Sequence, residues 1–193
     1  MKKGEKGFTL IELLVVIAII GILAVVAVPA LFKNINKAKI AKVESNYNTI
    51  KTAELNYYAE NNEFESDLKK LDIEHLDTSK TPIGGEYKIR MKNNKNKIVT
   101  EYGPIKAYSI DKEGNVDKYI EIDKEGDIYL SLQGFENNKL HINKEEFKSL
   151  VKNFGNENVY ISSKPNSFNY QTSEILIRLA NNILPKPIRE TNI

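Results

Sequence analysis

From Leu13 to Phe32 the chain runs 20 residues without a charge. At about 1.5 Å rise per residue, that stretch as a helix spans ~30 Å, the thickness of one hydrocarbon core. A buried helix of a soluble domain is an alternative, but the run is long and lysines flank it on both sides. A cleaved secretory signal is another, and Ala27-Val28-Pro29-Ala30 loosely imitates its cleavage site. Such a signal has an apolar part of only about 7–15 residues, and this run starts too early and lasts too long. Residues 8–32 are therefore expected to form a retained transmembrane helix, preceded by a short leader, residues 1–7.

Charge sets the orientation. The leader carries Lys2, Lys3 and Lys6 against Glu5, so the whole formal charge of +2 resides there. Without residues 1–7 the chain has 25 basic and 25 acidic side chains. Lysines beside a membrane segment stay cytoplasmic, which places everything after Phe32 outside. A neutral remainder gives no net field to gather nucleic acid or acidic lipid, although a local Lys/Tyr patch could still meet DNA. The chain has no cysteine, so packing alone must hold an exported domain.

Glu12 stands at the start of this apolar stretch. A carboxylate in lipid is costly unless paired. Leader lysines could serve at first. A cut between Gly7 and Phe8 would create a new cation, the Phe8 α-amine, and a helical spacing of four would set it on the Glu12 face. In an assembly that amine could also come from a neighbouring copy. The plainer reading leaves Glu12 hydrated among lipid headgroups.

The run Gly7-Phe8-Thr9-Leu10-Ile11-Glu12-Leu13-Leu14-Val15-Val16, continuing to Ala24 and then through Pro29, resembles the N-terminal signature of type IV pilins and their pseudopilin relatives. The resemblance covers about the first third of the chain. It implies cleavage after Gly7 by a prepilin peptidase that also N-methylates Phe8. Glu12 becomes the assembly glutamate, which meets the Phe amine of an adjacent subunit during filament growth. It further implies a homopolymer of pilin subunits, an assembly machinery, a cytoplasmic-membrane precursor and an extracellular filament. That filament would serve motility, adhesion, biofilm formation or DNA uptake; DNA or a host surface is a conceivable ligand. A pseudopilin of a type II secretion or competence system would share this N terminus. A single-pass anchored binding domain is the rival from another class. The Lys-, Asn- and Ile-rich composition is compatible with a Gram-positive, AT-rich source. Pro29 lacks an amide donor and is expected to kink or locally melt the helix.

Residues 33–61 contain neither Gly nor Pro, so the same helix can continue. Ile40, Val43, Tyr47, Ile50 and Tyr57 form one apolar stripe, expected to pack on a β-sheet. Residues 62–193 then read as a head domain. Ser66 is expected to cap a short turn reaching Leu71. Strands are expected over 86–91, 97–101, 105–110, 116–122 and 127–132, joined by short turns into an antiparallel meander. Leu140–Ile142 and Val159–Ser163 read as further strands. Asn143 caps a helix that Gly155 ends, and a second C-terminal helix starts near Thr172, with Ile175, Leu176, Leu179, Ile183 and Leu184 on one face. The fold class is thus α+β, the pilin arrangement of a long helix on an antiparallel sheet, with extra C-terminal helices.

Catalytic motifs are scarce. His75 and His141 lack metal-ligand spacing, and no phosphate loop or nucleophile elbow occurs. The repeat Ile110-Asp111-Lys112-Glu113-Gly114 and Ile122-Asp123-Lys124-Glu125-Gly126 fails the calcium-loop pattern and fits two hairpin turns. The expectation is a structural subunit with no cofactor and no metal.

Overall fold

The computed structural model describes residues 7–71, 73–91, 105–122, 127–135, 138–163 and 174–180. They divide into an N-terminal unit ending at Ala38 and a head unit starting at Lys39. The N-terminal unit is the first half of helix α1 (Leu10–Asn61), whose large apolar side chains from Leu10 to Ile35 are exposed. It is long and apolar enough to cross a bilayer. The assignment continues unbroken through Pro29, so the local melting expected there is not seen in this subunit. The missing proline amide still leaves the helix one bond short at that turn.

Within the head unit, Ile40, Val43, Tyr47 and Ile50 are buried and Tyr57 packs at the margin, as the stripe requires. Two polar residues join that face. Asn46 donates to the Tyr87 hydroxyl at 3.1 Å. Glu54 occupies the stripe position between Ile50 and Tyr57 and is 1% exposed. Asn62 ends the helix in the left-handed region (φ 55°), its N–H bonding the Tyr58 carbonyl at 2.8 Å. The next turn is capped by Asp67, not Ser66; Asp67 accepts the Lys69 amide at 3.1 Å.

Among the described residues six strands build one antiparallel sheet: β1 (Glu86–Met91), β2 (Ile105–Ile110), β3 (Val116–Ile122), β4 (Ile128–Gln133), β5 (Val159–Ile161) and β6 (Glu174–Ala180). Their spatial order is β1-β4-β6-β5-β2-β3. The simple meander is therefore wrong. β1 pairs with β4, and the C-terminal strands occupy the centre. Burial explains the order. β4, β5 and β6 are buried on both faces and take the middle, whereas β3, charged on its solvent face, takes an edge.

β6 also corrects the second C-terminal helix. Ile175, Ile177 and Leu179 belong to the core under α1, while Leu176 joins a smaller cluster with Ala107, Ile122, Tyr129 and Tyr160. A short, mostly apolar run such as Ile175–Leu179 fits a strand buried on both faces as well as a helix, and length favours the strand. Leu140 and Ile142 are buried with His141 exposed between them, but the segment forms no strand. The strand expected over 97–101 and the repeat's second turn lie outside the described residues. The first turn is a hairpin with Gly114 at φ 78°, and Asp111 accepts the Asn115 amide at 2.7 Å.

Helix α2 (Lys144–Phe154) forms as expected. Asn143 and Glu146 make a reciprocal capping box, and the Gly155 N–H closes the other end on Val151. Phe147, Leu150 and Val151 seat it in the main core.

Candidate functional site

Helix α1 begins at Leu10, leaving Gly7, Phe8 and Thr9 outside it. The reason is local. Thr9 is the N-cap: its side-chain oxygen accepts the Glu12 amide at 3.3 Å. In return Glu12 Oε2 accepts the Thr9 amide at 2.8 Å and the Thr9 hydroxyl at 2.7 Å. This is a capping box, with threonine at the N-cap and glutamate three residues on. It satisfies two of the amide donors that any helix start leaves open, a need that becomes acute where lipid replaces water.

The helical pairing of Phe8 with Glu12 is thereby corrected, because Phe8 precedes the first helical residue. The spacing of four holds only inside a helix. Glu12 instead takes its partner from Thr9, a residue for which the sequence reading assigned no role. The signal was available as Thr9-x-x-Glu12 ahead of an apolar run.

Both Thr9 bonds fall on Oε2, and among the described residues Oε1 accepts no hydrogen bond. One carboxylate thus has a structural oxygen and a free one. Phe8 is 85% exposed. The bond between Gly7 and Phe8 is therefore presented on a non-helical, accessible stretch directly ahead of a capped helix.

Elsewhere the described residues gather no catalytic constellation. His75 is exposed on a left-handed turn (φ 64°), 3.9 Å from Glu74. The His141 amide bonds the Ile83 carbonyl. Among the described residues no three His, Cys, Asp or Glu side chains converge on a metal position. A buried ion pair lies in the head: Arg90 binds both oxygens of Glu174 at 2.8 Å, and Ser131 donates to Glu174 at 2.6 Å.

The chain matches the prokaryotic N-terminal methylation motif over residues 2–28 and the family described as PilW, C-terminal, over residues 34–101. Among solved structures it is similar to the major type IV pilin PilA1 from Clostridium difficile. Identity is 22% and the TM-score 0.48, over 77% of this chain and 98% of that one. No curated protein matches.

Proposed function

Starting from a chain with the N terminus of the type IV pilin and pseudopilin class, we propose that it is a structural subunit of a type IV pilus. The precursor rests in the cytoplasmic membrane through residues 8–32. Prepilin peptidase cuts between Gly7 and Phe8 and methylates the Phe8 amine. The mature subunit then polymerises with its own copies into a surface filament, exchanging lipid contacts for helix contacts.

The methylation motif over residues 2–28 carries this reading. The local geometry supports it in two ways. The Gly7–Phe8 bond lies outside the helix. Glu12 keeps Oε1 open while Oε2 caps the helix, so the carboxylate can accept a neighbour's Phe8 amine without giving up its capping bonds. Charge-assisted bonds of this kind are among the stronger ones available in a dry environment. Pro29 then supplies a point of weakness where the helix can adjust to its neighbours.

Mass spectrometry of protein sheared from cells tests the proposal. The expected N terminus is methylated Phe8; an intact Met1 terminus in the surface fraction overturns it. A pseudopilin shares this terminus, and immunolabelling separates the two, since only the pilus reading predicts long surface fibres.

A further inference from the structure

Five of the six positions in the α1 stripe are Ile40, Val43, Tyr47, Ile50 and Tyr57; the sixth is Glu54. Its side chain is as buried as the isoleucines around it. Oε1 has no hydrogen-bond partner. Oε2 accepts one long bond, 3.3 Å, from the backbone N–H of Glu65. An ionised carboxylate in such a position, without a cation, is strongly disfavoured.

Glu65 belongs to the connector that leaves the end of α1. That connector is fixed by three contacts: Phe64 stacks on Tyr58 at 4.6 Å, Leu68 and Leu71 enter the core, and the Glu65 amide meets Glu54. Among the described residues no cation reaches Glu54. Glu65 adds a second carboxylate, 9% exposed, and holds one of the connector's two lysines, with Lys70 3.4 Å away, while Lys69 is exposed. Asp67 turns its amide to Glu65 at 2.9 Å. On α1, one turn to either side, Lys51 lies over the Tyr47 ring and Tyr58 over Phe64. On β1, Tyr87 is engaged by Asn46.

We propose that Glu54 is a proton-operated latch between α1 and the 62–71 connector: protonated, it holds the connector against the helix, and ionised, it lets the connector loosen. Burial, reinforced by the Glu65 charge and opposed by the Glu65 amide bond, pushes the Glu54 carboxyl up to about 7. An exposed glutamate titrates near 4.5. The closed connector therefore binds a proton that the open one releases, and closure weakens as pH rises from about 4.5 to about 7. Below that window the latch is at full strength; above it, the contribution is gone. Ordinary carboxylate pairing would produce the opposite trend. The inference concerns the head alone and does not depend on filament formation.

Amide hydrogen exchange on the full chain in detergent micelles tests it, with rates divided by the intrinsic rate at each pH. Protection of the Glu65 and Asp67 amides is expected to fall about tenfold or more between about pH 5 and 8.5 in the native chain. Glu54→Gln, neutral at every pH, is expected to keep its protection level throughout. A flat native profile overturns the proposal, as does an equal fall in Glu54→Gln. Should that variant fail to fold, the NMR titration of the Glu54 carboxyl carbon in the native chain decides. A midpoint near neutrality supports the latch, and one in the ordinary carboxylate range refutes it.

Discussion

The Tyr47 hydroxyl donates to the Arg178 carbonyl at 2.7 Å, tying α1 to a strand 131 residues further along the chain. Tyr47 also meets Phe154 of α2 edge-on, at 4.8 Å between ring centroids. One side chain thus joins the long helix, the central strand and the second helix. Burial pushes the Tyr47 phenol up, so it remains a donor at all ordinary pH values.

Tyr47→Phe keeps the ring and removes the donor. The Arg178 carbonyl is then left without that partner. The expected loss is about 1 kcal/mol, or ~2–4 °C in the melting temperature of a domain this size. Thermal unfolding followed by circular dichroism measures it, and an unchanged midpoint would count against the bond.

Arg90→Met should be costlier. It leaves the Glu174 carboxylate buried beside Ser131 with its bidentate partner gone. Breaking one side of a buried pair costs about 3–5 kcal/mol. The double change Arg90→Met with Glu174→Leu should recover much of that loss, since it removes the buried carboxylate as well. Chemical denaturation of all three variants provides the comparison.

Asn143→Ala removes the side-chain half of the α2 capping box. A loss of ~0.5–2 kcal/mol is expected, whereas Asn143→Asp should be nearly neutral. Urea midpoints at equal slope distinguish the two.

Glu12→Leu addresses the N terminus. The variant is expected to be cut at Gly7/Phe8 at a nearly native level yet yield few sheared filaments, because both the capping oxygen and the free oxygen are lost. Thr9→Ala separates those roles. It removes the cap and leaves the carboxylate, so filament yield should fall less than in Glu12→Leu. Native filament yield from Glu12→Leu, measured by quantitative immunoblot, would refute the assembly role.

Much of the fold was legible in the chain. The α1 stripe could be read because periodicity records which face is buried. β1, β2 and β3 matched their expected limits because turn residues bracket alternating runs. The Asn143 cap and the Gly155 stop are local chemistry, readable within a few residues. β6 was not legible: Ile175, Leu176, Ile177 and Leu179 suit a helix face and a doubly buried strand alike. The Thr9 cap is legible in principle, since Thr9-x-x-Glu12 has capping-box spacing, but the charge of Glu12 points equally to an ion pair. Glu54 lay in the gap between Ile50 and Tyr57, and only its burial makes it conspicuous.

The sequence by itself determined the membrane-length helix, the motif around Gly7 and Phe8, the end of α1 and both ends of α2. Those features depend on neighbours within a turn or two, so composition and spacing are enough. The tertiary structure alone decided the strand order, the central place of the C-terminal strands, the contact of Tyr47 with Arg178 and the burial of Glu54. Each of these joins segments far apart in the chain, and which segments meet is settled by how the apolar faces of the whole domain can be covered at once.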